Sequence, residues 1–318
     1  MIHAYELSAG RLTAVGADAA GVLWWDLVHP SREEEKALED RLGLELPTKD
    51  EMHEIEISSR LYSEDGGHFM TALIPANTDG DDPVMAPITF ILVGHRLVTI
   101  RYTEPRAFTA FPQRAEKSAL GLGDGETVLL GLFEAIVDRL ADVLERAGRE
   151  IDAISRAVFG KGGEAARKNS TYKTTLEAIG RKGDLTSNIR DSLATMERIL
   201  AFLGPKLTPA EKPVRDQLKA LVADVRSLSD HSEFMAQKII FLLDATLGLI
   251  NIEQNAIIKI FSVAAVVFLP PTLVASIYGM NFAFMPELGW KFGYPFAVFL
   301  MVLSAVLPFM YFKRRGWL

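Results

Sequence analysis

Ten residues near the C-terminal end of the chain recur at alternating steps of four and three, and eight of them are polar or small. This spacing places all ten on one face of an α-helix. Amide, hydroxyl and carboxylate oxygens on such a face can accept hydrogen bonds from water or from the water shell of a cation. We call this set the polar stripe. Its members are Asp244, Gly248, Asn251, Asn255, Ile258, Ser262, Ala265, Leu269, Thr272 and Ser276.

The faces beside the polar stripe are strongly apolar, which inverts the pattern of a coiled coil in water. Their residues are Ile257, Ile260, Phe261, Val263, Val267, Phe268, Leu273 and Val274. One interpretation is close packing of helices through small and hydroxyl residues. The other is a water-filled path lined by the stripe. The path is favoured because helix packing leaves Asp244, Asn251 and Asn255 unexplained.

Two long apolar runs flank a short loop at this end of the chain. The run 256–278 carries only one charge, Lys259, and the run 294–312 carries none. About 20 helical residues cross a hydrocarbon core. We therefore predict transmembrane helices at 256–278 and 294–312, joined by an extracytoplasmic loop at 279–293. The alternative is a pair of core helices in a soluble protein.

Basic residues predict the orientation of the two spans. Lys313, Arg314 and Arg315 follow the second span, whereas the loop has only Lys291 beside Glu287. The positive-inside rule then places the tail 313–318 in the cytoplasm, and residues 1–255 with it. Two spans per chain cannot enclose a path. We therefore expect a homo-oligomer in a bacterial-type inner membrane, with the first span lining the path and the second facing lipid.

Composition excludes several classes of function. The formal charge of −7 gives no concentrated basic surface for nucleic acid. The chain has no cysteine, so disulfides and thiolate-bound zinc are excluded. We expect no signal peptide, because the first residues lack a basic segment followed by an apolar one. No hydrolase, P-loop or zinc-protease motif is present, so we do not expect an enzyme or a bound cofactor.

Residues 1–122 mix strand and helix patterns and predict an α+β cytoplasmic domain. A helix should begin at Ser31, with Glu34 completing a capping box. Gly94-His95 predicts a tight hairpin, and Asp65-Gly66-Gly67 predicts a second turn. Strands are predicted at 22–28, 54–58, 69–74, 88–93 and 97–102.

Residues 123–255 predict long helices. The first has apolar residues at helical spacing from Leu129 to Leu144 and is interrupted at Gly160 to Gly163. The second should run from about Glu164 to Leu203 and be weakened at Gly180 and Gly183. The third should open at Thr208 and continue as one stalk into the first span, a length on the order of 100 Å.

The loop after the first span carries a specific signature. Tyr278-Gly279-Met280-Asn281, followed by Met285-Pro286-Glu287-Leu288, resembles the CorA family of divalent-cation channels. The order of an α+β domain, helices, stalk and two spans is similar throughout the chain. The resemblance implies a funnel-shaped homopentamer in the membrane and passive uptake of Mg2+, with Co2+ or Ni2+ as further cargo.

The resemblance also implies residue roles. Asn281 would form a selectivity ring, shaped by Gly279 and Met280. Six members of the polar stripe would line the pore going inward, namely Thr272, Leu269, Ala265, Ile258, Asn255 and Asp244, and the other four members are assigned to the pore by spacing alone. Metal would meet Asn281 at the outer end and Asp244 at the inner end. Glu287 would either attract cations or be merely solvated.

The chain departs from the family pattern at three places. Leu269 stands where the family often has Met, and Pro270-Pro271 stands where it usually has one proline. The regulatory acidic sites of the family do not align with this chain. Asp224 and Asp230 are candidate substitutes for binding regulatory Mg2+, and the commoner explanation is that they are acids on a solvated helix face. A Zn2+ transporter of the same superfamily and a non-transporting membrane-anchored scaffold or sensor remain alternatives.

Overall fold

The computed structural model describes residues 1–80, 83–118, 120–159, 169–207, 212–281 and 285–317. The chain divides into two compact units, Met1–Leu243 and Asp244–Leu318. The predicted breaks at 160–163 and 208–211, with the start at Glu164, lie outside the described residues. Each unit is considered separately below.

A seven-stranded sheet is the centre of the first unit. Its strands are β1 (Ile2–Ser8), β2 (Arg11–Val15), β3 (Val22–Val28), β4 (Leu61–Glu64), β5 (Gly67–Ala76), β6 (Val84–Val93) and β7 (Arg96–Arg101). They lie in the order β2-β1-β3-β7-β6-β5-β4. The central pair β3 and β7 is parallel and the other pairs are antiparallel. At the centre of the sheet, β3 from the beginning of the domain therefore lies beside β7, the last strand in the sequence.

Four of the five predicted strands are confirmed, and both predicted turns are present. Gly94 and Gly66 occupy them with positive φ angles of 56° and 77°. The strand predicted at 54–58 is wrong. Residues 54–56 have no regular structure and helix α3 (Ile57–Arg60) follows them. The alternation of Glu and Ile suggested a half-buried strand, but Ile55 is 85 % exposed and packs against no core.

Both faces of the sheet are buried. Neighbouring Trp24 and Trp25 on β3 enter different apolar clusters because successive strand residues point to opposite faces. The Trp24 face is covered by helices α4 (Ala107–Lys117), α5 (Gly125–Phe159), α6 (Asn169–Leu203) and part of α7 (Lys212–Tyr278). Leu38 and Met52 of helices α1 (Arg32–Leu42) and α2 (Lys49–Met52) cover the other face. This layering confirms the α+β class.

The predicted start of α1 is confirmed. The Glu34 amide donates to Ser31 Oγ at 3.3 Å, and the Ser31 amide donates to Glu34 Oε2 at 2.9 Å. Two of the otherwise unpaired groups at the helix start are thereby satisfied. The Glu34 carboxylate also pairs with the amino group of Met1 at 2.9 Å.

The helices of the first unit are long and joined by ion pairs. Lys182 of α6 pairs with Glu150 of α5, and Lys238 of α7 pairs with Asp152. The helix α6 continues through Gly180 and Gly183, and the weakening expected at these glycines stays a prediction. Several α6 residues are buried and favour the helix through packing; among them are Ile179, Ile189, Leu193 and Met196.

The second unit contains the end of α7, a short 3-10 helix at Pro286–Gly289, and helix α8 (Gly293–Arg314). The helix α7 is continuous through Pro270 and Pro271 and ends at Tyr278, where the first predicted span ends. The helix α8 contains the whole of the second predicted span. The structure thus places both apolar runs in regular helices.

Candidate functional site

The helices α7 and α8 are long and apolar enough to cross a membrane, judged by length and composition. Core helices of soluble proteins can pass the same test. Here only 6 % of each apolar window is buried, so neither window serves as a core within this chain. Large apolar side chains such as Phe261, Phe268 and Leu273 are instead exposed. Such surfaces require lipid or another chain to cover them.

All ten members of the polar stripe are exposed on the single chain. The stripe lies along one helix over the length from Asp244 to Ser276. Its residues therefore do not converge on a pocket within one chain. Among the described residues, no group of three or more His, Asp or Glu side chains is placed to hold a metal ion. A site for a cation on this face would need the same residues from other copies.

A different face of α7 is shielded. The buried Val263 and partly buried residues follow one another at helical spacing from there to Tyr278. These residues are Val263, Ala264, Val267, Pro270, Pro271, Val274 and Tyr278. At 100° per residue, their mean direction is about 160° from that of the polar stripe. We call this set the shielded stripe of α7.

The helix α8 also has one shielded stripe. It comprises Gly293, Ala297, Leu300, Met301, Ser304, Ala305, Pro308 and Phe312. Both helices belong to the same unit. The simplest geometry that shields one stripe on each of two neighbouring helices is packing through those stripes. This arrangement leaves the polar stripe of α7 facing away from α8.

The double proline is accommodated without a break in α7. Proline lacks an amide hydrogen, so Pro270 and Pro271 remove two hydrogen bonds from the helix. Directly after the two prolines, the Thr272 hydroxyl donates to the Phe268 carbonyl at 2.7 Å. This bond satisfies the hydroxyl hydrogen and leaves the oxygen of Thr272 able to accept from water.

The turn after α7 explains the glycine of the Gly-Met-Asn signature. The Gly279 amide donates to the Ala275 carbonyl at 3.0 Å, and the Met280 amide donates to the Ile277 carbonyl at 3.2 Å. A Cβ atom at Gly279 would lie 3.1 Å from the Ala275 carbonyl oxygen, a tight contact. The chain leaves the helix here, and Asn281 is exposed immediately beyond it.

The remaining loop is described in part. Met285 is partly buried, and the backbone of Glu287 lies in the 3-10 helix. Trp290 contacts the rings of Phe292 and Phe296, with centroids 6.1 Å and 5.9 Å apart. Aromatic side chains at this position are typical of a membrane interface. The residues 282–284 lie outside the described part.

At the other end of the polar stripe, Asp244, Asn251 and Asn255 are exposed. Asp244 forms no salt bridge with the residues that the structure describes. Asp224 and Asp230, the candidate regulatory acids, lie on α7 in the first unit and belong to no metal-binding group within the described ranges.

Sequence reasoning did not single out three charged features. Asp79 receives hydrogen bonds from Arg106, Arg139 and Arg146 at 2.6 to 3.1 Å. A buried pair, Asp26 and Arg101, borders a cavity of about 580 Å3. Lys259 was read only as an interruption of an apolar run, although it lies four residues before the buried Val263. Helical spacing from Val263 was the signal available for this last residue.

Comparisons with known proteins extend over the whole chain. The family model described as "CorA-like Mg2+ transporter protein" matches residues 19–314. The chain is 39 % identical to "Magnesium transport protein CorA" of Mannheimia succiniciproducens and 36 % identical to the protein of that name from Escherichia coli K12, covering 100 % of both partners in each case. The complete structure of a CorA magnesium transporter from Methanocaldococcus jannaschii is similar in fold, with a TM-score of 0.76, 19 % identity and coverage of 100 % and 99 %. The cytoplasmic domain of ZntB from Vibrio parahaemolyticus has a TM-score of 0.57 at 13 % identity, covering 78 % of this chain and 97 % of that one.

Proposed function

The chain belongs to the CorA-like Mg2+ transporter family, and from this premise we propose that it conducts Mg2+ across a membrane, down its electrochemical gradient. One observation carries the residue-level proposal. The polar stripe is exposed along α7, lies opposite the shielded stripe and leads to the exposed Asn281. A helix with this arrangement can line a hydrated path on one side and hold the second span on the other.

The conducting unit is an oligomer, because one copy of α7 supplies only one wall of a path. With α8 on the outer side of α7, several copies can turn their polar stripes toward a common axis. We propose a homopentamer, as the family resemblance implies. The exposed apolar residues of α8, among them Phe299, Val302 and Leu307, then face lipid.

Selection occurs at a ring of Asn281 side chains. Mg2+ holds its water molecules in a tight octahedron and loses them reluctantly. Amide oxygens can accept hydrogen bonds from those waters without replacing them. A carboxylate ring would bind the ion more tightly and release it more slowly, which opposes conduction. The tight turn at Gly279 and Met280 presents the amide at the end of the path. Co2+ and Ni2+ fit the same ring as hydrated ions.

The rest of the path has three kinds of lining. Hydroxyl groups of Ser262, Thr272 and Ser276 hydrogen-bond to water in the spanning part. Ile258 and Leu269 are the apolar members, 61 % and 65 % exposed on the single chain, and form constrictions that close by losing water. Rings of Asp244 concentrate cations at the inner mouth. Glu287 adds negative charge outside, and regulatory Mg2+ binds to the cytoplasmic part.

The proposed orientation follows from charge. Lys313 and Arg314 lie in the last turn of α8 and Arg315 caps it. The positive-inside rule places these residues, and residues 1–255, in the cytoplasm, with the Gly-Met-Asn turn on the outer side of an inner membrane.

The test is growth rescue of a cell that lacks its own Mg2+ uptake systems, combined with Mg2+ flux into vesicles. The wild-type chain should restore growth, and Asn281→Ala should lose most of the flux because the hydrated ion meets no amide ring. Ser304→Ala is the matched control. Ser304 lies on the shielded stripe of α8 and donates to the Met301 carbonyl at 2.9 Å, so flux should be kept.

Three outcomes would contradict the proposal. Full flux in Asn281→Ala would mean that the ring does not select the ion. Zn2+ flux exceeding Mg2+ flux would favour the zinc-transporter alternative. No rescue by a wild-type chain that reaches the membrane would favour a scaffold or sensor.

A further inference from the structure

A cleft of about 580 Å3 lies in the first unit, between helix α4 and the part of the sheet formed by β2, β1, β3 and β7. His3 and Tyr5 of β1 share the floor of this cleft with Asp26 and Val28 of β3, because His3 lies opposite Asp26 and alternate residues point to the same face. One face of α4 forms the opposite wall, with Thr109, Pro112, Gln113 and Glu116 at helical spacing. A cavity of this size accommodates a small organic molecule.

Helix α4 runs along the cleft from Arg101 toward Tyr5. Near the beginning of the helix, the Cζ atom of Arg101 lies 4.9 Å from the centre of the Phe108 ring. One turn later, Phe111 contacts Trp24, with ring centroids 6.0 Å apart, and Trp24 lies opposite Tyr5 in the sheet. Arg101 and Tyr5 therefore lie toward opposite ends of an elongated cleft.

An exposed glutamate lies toward each end of this cleft. Glu104 follows β7, next to Thr103, whose carbonyl accepts from Arg101 Nη1 at 2.8 Å. Glu116 lies in the last turn of α4, about 14 Å from Ala107 along the helix axis. Both glutamates line the cleft, and neither forms a salt bridge with the residues that the structure describes.

The positive groups of the cleft are already paired with other acids. The buried Arg101 donates to Asp26 from Nε at 3.0 Å and from Nη2 at 2.9 Å. The amino group of Met1 pairs with Glu34 at 2.9 Å. With histidine counted as neutral, the two glutamates of the cleft are therefore uncompensated negative charges.

The hydroxyl group of Tyr5 responds to this negative lining. Burial raises the pKa of Tyr5 above its ordinary value, and the charges of Asp26 and Glu116 raise it further, against an opposing effect of Arg101. The pKa shift places Tyr5 within electrostatic range of Glu116. A protonated Tyr5 hydroxyl keeps an oxygen lone pair that can accept from an ammonium group.

We propose that this cleft binds a linear aliphatic polyamine, with one ammonium group at Glu104, another at Glu116 and the methylene chain between them. The chain would lie against the apolar residues that line the cleft, among them Leu12, Val28 and Pro112. A single metal ion does not fit, because the two carboxylates lie toward opposite ends and the described residues contain no group of three or more His, Asp or Glu side chains placed to hold one. The inference goes beyond the proposed function and needs neither an open path nor ion selection.

The experiment measures binding of spermidine to the full-length protein in detergent by isothermal titration calorimetry, at low salt and without Mg2+. Glu104→Gln and Glu116→Gln should each weaken binding roughly threefold, the effect of one exposed ion pair. The double variant should lose roughly tenfold, because distant sites contribute additively. Glu56→Gln is the matched control, since Glu56 is an exposed acid that does not line the cleft, and it should keep the affinity of wild type.

A second arm uses butylamine, which has one ammonium group, and ethylenediamine, whose two ammonium groups are too close together to reach both glutamates. Both should bind more weakly than spermidine, and equal affinity for the three amines would overturn the proposal. Absence of spermidine binding to wild type, or an equal loss in Glu56→Gln, would also overturn it. So would full displacement of spermidine by an equal concentration of Mg2+, which would identify a general cation surface. Mg2+ flux does not enter these readouts, so the inference can fail while the proposed function stands.

Discussion

At the residue scale, Asp79 is the clearest case of a side chain whose chemistry is set by its neighbours. It lies in the loop after β5 and accepts from Arg139 at 2.6 Å and from Arg106 and Arg146 at 3.1 Å each. The hydrogen bonds from Arg139 and Arg146 lower the pKa of Asp79 to about 2. Thr78 shares two of these partners, through its hydroxyl and its carbonyl. The loop is thereby attached to α5.

This geometry predicts a pH dependence. A carboxyl group whose pKa is lowered on folding stabilises the fold above its unfolded pKa of about 4, and this contribution is lost as the pH falls toward 2. Asp79→Asn should therefore lower the thermal midpoint of the full chain at pH 5, and the difference from wild type should shrink between pH 4 and pH 2. Asp216→Asn, at an exposed position of α7, is the control. A difference that stays constant with pH would exclude this role of Asp79.

At the element scale, the division of α7 into a polar and a shielded stripe can be measured directly. The chain has no cysteine, so single cysteines report without background. Ser262→Cys and Ser276→Cys should react with a water-soluble thiol reagent roughly tenfold or more faster than Val263→Cys and Val267→Cys, because thiolate forms where water can solvate it. Equal rates in the two groups would contradict a wet path along the polar stripe.

Helices and central strands were predictable because their signals are local and periodic. The capping box at Ser31, the strands β3 and β5 to β7, and both apolar runs follow from patterns of a few residues. The edge strands β2 and β4 and the strand β1 were missed, since their burial depends on neighbours distant in sequence. The polar stripe could be found by counting, whereas the shielded stripe on α8 could not. Apolar residues lie on all sides of α8, so the sequence does not show which of them are buried, and only packing in the folded chain separates the shielded face from the others.

A hydrogen bond between β5 and α6 covers part of the edge of β5, and it joins residues that are far apart in the sequence. The strand β4 pairs with β5 only from Gly67 to Met70, which leaves the rest of that edge uncovered by a strand. The Leu73 amide there donates to the Thr195 hydroxyl of α6 at 3.1 Å. A strand amide that already donates to a side chain cannot pair with the edge strand of another molecule. No pattern in residues 67–76 indicates that Leu73 has this partner.

At the scale of the whole molecule, the exposed surface of the second unit predicts assembly. Apolar side chains surround α8, and all ten members of the polar stripe of α7 are exposed on the single chain. Protein purified in detergent should have a protein mass of five times 35.1 kDa by light scattering. Ser304→Ala should leave this mass unchanged. A mass of a single chain in lipid nanodiscs would contradict both the pentamer and the shared path.

The paired prolines of α7 have a mechanical consequence. The carbonyl groups of Val266 and Val267 have no amide donor, so two consecutive backbone hydrogen bonds of the helix are missing within the membrane. The bending stiffness of a helix falls where its backbone hydrogen bonds are missing, and Leu269 lies within this part of α7. Small elastic deformations of the helix are therefore concentrated at the constriction proposed for Leu269, and a modest force would change the radius of that constriction.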